Sequence, residues 1–167
     1  AERWEKCSSQ NKMIDVGTIP LDDKKERLSV VDFGPGTGIP CTQITYPFRE
    51  KVKEVIGIDV SEAILYKGME KIRESYTVRG ILADFIRDSD KIKEALDQEK
   101  QKKLFLILGA TAGNYNQCLT FTTLSSFLNE KDRIIIGLRL YSGKEKIQEL
   151  ADFFASRENC QFGTYFL

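Results

Sequence analysis

The segment Val30-Val31-Asp32-Phe33-Gly34-Pro35-Gly36-Thr37-Gly38 constrains the fold of this chain more than any other. A short, apolar, β-branched run from Leu28 to Phe33 reads as a buried strand, and it stops at a turn with glycine at every second position. Glycines so spaced let the backbone turn tightly and approach a ligand with no Cβ in the way. The dinucleotide fingerprint G-x-G-x-x-G would need its third glycine at position 39, where this chain has Ile39. The alternative to a ligand-binding loop is an incidental glycine turn between a strand and a helix.

Beyond the turn, apolar runs and amphipathic stretches alternate along the chain. Pro40 stands where a first helical turn tolerates it, so Ile39 to Tyr46 is expected as a short helix closed by Pro47. Glu54 to Val60 (EVIGIDV) is the second expected strand. Ser61 suits the N-cap of a helix to about Ser75, with Ala63, Ile64, Met69 and Ile72 among its apolar positions. Thr77 to Leu82 predicts a third strand, and Ile86 to Lys102 an amphipathic helix with Ile92, Ala95 and Leu96 inward. Leu104 to Leu108 (LFLIL) is continuously apolar, as a strand covered on both faces must be. After it come a helix from Gln117 to Leu128, a strand from Arg133 to Leu140, a helix near Lys144 to Arg157 and a short strand at Cys160 to Leu167. Before Leu28 the sequence predicts one helix, Glu2 to about Lys12, and a polar lead-in with Pro20. The alternation implies an α/β fold, a Rossmann-like three-layer sandwich with a mostly parallel sheet. Residues 1–27 form the lead-in and 28–167 the domain.

Composition narrows the chemistry. With 167 residues, 41% hydrophobic and 30% charged, the chain fits one domain with a real core. Lys plus Arg equals Asp plus Glu at 25 each, which argues against a general polyanion binder such as a nucleic-acid protein. No apolar run approaches the ~20 residues needed to span a bilayer, so no membrane partner is expected. Cys7, Cys41, Cys118 and Cys160 include no C-x-x-C pair and read as free thiols of a cytoplasmic protein. There is no histidine, which excludes histidine triads, histidine general bases and histidine-dependent zinc sites, and no metal is expected. The chemistry must work by positioning, by carboxylates, or through a cofactor with its own reactivity.

In such sheets ligands bind beyond the carboxyl ends of the strands, where the strand order reverses. The first end is the glycine turn with Asp32. The second is Asp59, where a carboxylate can accept both hydroxyls of a ribose or merely lead the next helix. The third is Ala83-Asp84-Phe85. Asp84 can accept from an exocyclic amine and Phe85 can cover a purine face, or Asp84 is an N-cap and Phe85 core. The fourth is Gly109-Ala110-Thr111-Ala112-Gly113-Asn114-Tyr115. Its small residues make room for a ligand, and Asn114 offers one acceptor and two donors unless it caps the next helix.

In this order and spacing the four stations resemble class I S-adenosylmethionine-dependent methyltransferases, from about Leu28 to Leu140. VVDFGPGTG is similar to that group's first motif, IGIDVS to its second-strand acid, and ILADF to its adenine station. LILGATAGNYN is similar to the fourth strand and loop of the histidine-specific methyltransferases, which trimethylate the α-amino group of histidine. Gly109, Thr111, Gly113 and Asn114 match their G-S-T-I-G-N-F pattern, whereas Ala110, Ala112 and Tyr115 depart from it.

The resemblance implies S-adenosylmethionine as cofactor. Asp32, Gly34, Gly36, Thr37 and Gly38 would hold its methionine end, Asp59 with Val60 the ribose, and Asp84 with Phe85 the adenine, with Gly109 beside them. Asn114 and Tyr115 would face a small-molecule methyl acceptor, with the amino group of an amino acid such as histidine as one candidate. The chain also departs from the group. Only 27 residues come after Leu140, so the antiparallel hairpin that usually ends class I sheets is expected to be incomplete, and further domains of the same chain are a candidate partner. A non-catalytic S-adenosylmethionine-binding domain of a larger protein is the alternative reading. An NAD-linked oxidoreductase is weakened by Ile39, and a nucleic-acid methyltransferase by the neutral charge and the lack of an Asn-Pro-Pro-type loop.

Overall fold

The computed structural model describes residues 27–98, 101–109 and 111–137. The elements expected at Glu2–Lys12, Lys144–Arg157 and Cys160–Leu167, and with them the C-terminal hairpin, lie outside these residues. Within them, five strands form one sheet in the order β3-β2-β1-β4-β5. The strands are β1 (Leu28–Phe33), β2 (Val52–Asp59), β3 (Val78–Leu82), β4 (Lys102–Ile107) and β5 (Arg133–Ile136). Every neighbouring pair is parallel.

Four helices connect them: α1 (Ile39–Thr45), α2 (Glu62–Arg73), α3 (Ser89–Asp97) and α4 (Gln117–Phe127). The alternation of side chains along β1 explains why both sheet faces need cover. Val31 and Phe33 pack with Ile92 and Leu96 of α3 and Leu124 and Phe127 of α4. Leu28 and Val30 pack with Cys41 of α1 and Leu65, Met69 and Ile72 of α2. The result is three layers. All six residues of β1 are buried, as suits the central strand.

The bounds of β1 are those expected, and other elements shift for identifiable reasons. The inward stripe of α2 is Leu65, Gly68, Met69 and Ile72, and Ala63 lies on the exposed side. Ser61 caps that helix as expected, accepting from the Ile64 N–H at 3.4 Å. α3 starts at Ser89 rather than Ile86, because a side-chain turn occupies the preceding residues. There Asp84 Oδ1 accepts from the backbone N–H groups of Ile86 (2.9 Å) and Arg87 (3.1 Å). β2 and β4 begin two residues earlier than expected, at Val52 and Lys102. Both starting residues pair with Leu28, so the ladder with β1 sets the strand start rather than the local apolar pattern. A 3-10 turn over Tyr46–Lys51, for which the sequence holds no plain signal beyond Pro47, joins α1 to β2. β5 runs to Ile136, and Leu138 to Leu140 lie outside the described residues.

At the opposite edge from the glycine turn, Asp132 is buried and ties β4 to the loop before β5. Its two oxygens accept from Lys103 N at 2.7 Å and Asn129 N at 2.9 Å.

Candidate cofactor site

The order β3-β2-β1-β4-β5 reverses between β1 and β4. Connections from these two strands leave toward opposite faces, which opens a crevice at their carboxyl ends. Backbone bonds carry the ladder on beyond the strands: Gly34 N donates to Ile58 O at 2.8 Å and Ala83 N to Asp59 O at 2.9 Å. The first three expected stations therefore stand side by side along one edge.

Gly34, Gly36, Gly38 and Gly109 all have positive φ, between 54° and 73°. Two of them serve different ends. A Cβ on Gly38 would collide with the Gly68 carbonyl oxygen of α2, so this glycine permits close packing of turn and helix. A Cβ on Gly109 would meet none of the described residues within 4 Å, so among these this glycine borders open space. Gly36 faces similar space, its nearest atom for a Cβ being Gly34 O at 3.9 Å. Thr37 is exposed at the tip of the turn.

Asp32 lies beneath this turn, 1% exposed. The Cys41 thiol hydrogen-bonds to its carboxyl, yet Oδ1 has no partner among the described residues. Burial pushes the carboxyl up to about 7; the Cys41 bond opposes that rise and the charge of Asp59 adds to it. The thiol in turn is pushed above its ordinary range, first by burial and then by Asp32. Sequence reasoning passes over Cys41 as a site residue. The available signal is its place in the first turn of the helix after the glycine loop.

Asp59 is half-buried at the tip of β2, and its Oδ1 accepts from Ser61 N at 2.8 Å. Burial raises its pKa, while backbone bonds from Ser61 and Val60 lower it. Val60 comes next, 46% exposed, and Leu82, across from Asp59 in register, is 57% exposed. Two apolar side chains at adjoining strand tips flank the carboxylate. In the sequence Leu82 carries no signal of this, because it reads as an ordinary strand residue.

The third station differs from expectation. Asp84 shapes the turn before α3 through Oδ1, while Oδ2 stands 3.8 Å from the exposed Arg87 Nε. Phe85 is a core residue, 6% exposed. Its ring packs 5.3 Å from that of Phe33 and 5.1 Å from that of Tyr115, centroid to centroid. Phe85 thus takes the core place that the sequence left open as its alternative.

At the fourth station Asn116, not Asn114, caps α4, accepting from Leu119 N at 3.1 Å. Asn114 is exposed, and its backbone N–H bonds to Thr111 O at 3.2 Å. The capping alternative for Asn114 is thereby removed. Thr111, which the sequence presents only as part of the loop pattern, packs directly on Gly34 and so joins the β4 loop to the glycine turn.

Among the described residues, open space lies before Gly36 and Gly109 and a buried carboxyl oxygen next to the turn has no partner, which suits a ligand that carries a positive group. Among the described residues no cluster of three Asp, Glu, Cys or His side chains is arranged to hold a metal ion, and no helix is long and apolar enough to cross a membrane.

Solved structures share this fold. The plantazolicin methyltransferase BpumL, in complex with a triazolic desmethylPZN analog and SAH, is 21% identical with a TM-score of 0.53, over 84% of this chain and 48% of that one. The plantazolicin methyltransferase BamL, in a complex of the same kind, is 22% identical with a TM-score of 0.51, over 84% and 47%. The chain thus spans about half the length of these two proteins. No curated protein matches it. A family model covers residues 13–150, most of the sequence and every station described above, and the chain belongs to that family, the histidine-specific, SAM-dependent methyltransferases.

Proposed function

We propose that this chain is an S-adenosylmethionine-dependent methyltransferase core acting on a nitrogen of a small-molecule acceptor, with the amino group of an amino acid such as histidine as the first candidate. The observation that carries the reading is the open glycine cradle at the switch point, next to Asp32, whose buried Oδ1 has no partner among the described residues. When bound, S-adenosylmethionine supplies a methyl group already activated by its sulfonium, so the protein is asked for alignment rather than acid–base power. That division suits a chain with no histidine.

In this reading each station has one role. The Gly34–Gly38 backbone and Asp32 hold the methionine end, with Asp32 Oδ1 as acceptor for its ammonium group. Asp59 accepts from the ribose hydroxyls, and Asp84 Oδ2 from the exocyclic amine of adenine. Asn114, exposed and free of a capping duty, orients the acceptor amine so that its neutral lone pair faces the methyl group.

Calorimetric titration with S-adenosylhomocysteine tests the cofactor reading. Asp59→Ala is expected to abolish detectable binding while circular dichroism shows an intact fold; unchanged affinity overturns the ribose assignment. Incubation with methyl-labelled cofactor and a panel of amino acids tests the transfer. Affinity without labelled product would make the chain a binding domain instead.

A further inference from the structure

The aromatic cluster beneath the site places one ring where the sequence pattern does not. Phe33 is fully buried, surrounded by Phe85 (5.3 Å), Phe127 (5.7 Å) and Phe105 (6.1 Å). Phe85, Phe105 and Phe127 are themselves buried. The cluster continues outward through Tyr115, which meets Phe85 edge-on at 5.1 Å with the ring planes 75° apart. Tyr115 is the one member of this group that is only half-buried.

Its direction is informative. Tyr115 belongs to the loop after β4, yet its ring contacts the residue just past Asp84, at the tip of β3. In the sheet, β1 and β2 lie between those two strands. The loop after β4 and the turn after β3 therefore meet through these two rings, where Phe85 also packs on Phe33 of β1. The phenol responds to that location: burial raises its pKa most, and the charges of Asp84 and Asp59 add to the rise while Arg87 opposes it. Asn114, one residue earlier, is exposed, so the two neighbours do not share an environment.

We propose that Tyr115 walls the nucleoside end of the cofactor site, taking the purine-covering place that Phe85 cannot fill, and that it does not face the methyl acceptor. The inference rests on the cofactor reading above. Tyr115 is half-buried, so part of its ring stays accessible, and a purine presents a flat surface that an aromatic side chain accepts. Acceptor recognition is then left to Asn114, and Tyr115 becomes a residue of cofactor specificity.

The test compares the whole chain with Tyr115→Phe and Tyr115→Leu, using S-adenosylhomocysteine as probe. Tyr115→Phe keeps the ring and should bind within about twofold of the parent, whereas Tyr115→Leu keeps apolar contact with Phe85 but should bind about tenfold more weakly. A merely structural role would not produce nuclear Overhauser effects between the Tyr115 ring and adenine H2 or H8 in the complex; these are expected. Unchanged affinity in Tyr115→Leu, or ring contacts absent from adenine, overturns the proposal. If the parent chain itself fails to bind the probe, the cofactor reading falls with it. Loss of binding in Asp59→Ala but not in Tyr115→Leu separates the two failures.

Discussion

Gly34 and Thr111 are packed so closely that a Cβ on Gly34 would lie 2.6 Å from Thr111 Oγ1 and 3.2 Å from its methyl carbon. The two residues come from loops on either side of the switch point, after β1 and after β4. Their contact joins the part of the site assigned to the methionine end with the part assigned to the acceptor.

Gly34→Ala should therefore be destabilising on two counts. Its φ of 73° is costly for any residue with a Cβ, and the added methyl meets Thr111. About 1–3 kcal/mol is expected, read from urea midpoints. Adding Thr111→Ala should recover the steric part but not the backbone part. A Gly34→Ala variant as stable as the parent would refute the contact.

Asp32 should make stability fall with pH. The folded carboxyl titrates near about 7 and its ordinary value is 3.8, so the folded chain keeps a proton that the unfolded chain releases. This contribution is fully present at and below the unfolded value and is lost as pH rises toward the folded one. Burial sets it first; the Cys41 bond opposes the rise and the charge of the half-buried Asp59 adds to it. Denaturant midpoints from about pH 4 to about pH 8 should show Asp32→Asn gaining on the parent up to neutrality and levelling off beyond. A difference that does not change with pH would contradict the assignment.

Asn114→Ala separates acceptor from cofactor. Affinity for S-adenosylhomocysteine should stay within about twofold, while kcat/KM for the acceptor should drop by about tenfold or more. A parallel loss of cofactor affinity would move Asn114 to the other side of the site.

Thr120 offers a stability test away from the chemistry. It is fully buried in α4, and its Oγ1 has no hydrogen-bond partner among the described residues. Thr120→Val keeps the shape and removes the stranded hydroxyl, so a gain of about 1 kcal/mol is expected from thermal or urea unfolding. A loss would show that the hydroxyl has a partner after all.

Much of the architecture is legible in residue order. LSVVDF ends in glycine, Ser61 precedes an apolar stripe, and LFLIL is continuously apolar. Each is a local pattern whose cause lies within a few residues, so strand, helix and parallel sheet can be inferred without coordinates. The places of Asp32, Asp59 and Gly109 at the strand ends are legible for the same reason, since each strand's end follows from its own apolar run and the turn residues after it.

What the sequence determined by itself was thus the alternation of elements and the chemical types at the strand ends. The tertiary structure decided which side chains remain available there. Asp84 and Phe85 look alike as candidates in ADF, but Asp84 is half-buried and shapes the turn before α3, while Phe85 is buried against Phe33 and Tyr115. Thr111 on Gly34, Cys41 on Asp32 and Tyr115 on Phe85 are contacts between different elements and loops. The physical reason is that burial and packing depend on which elements meet across the sheet, and a local pattern of residues records its own period but not its partner.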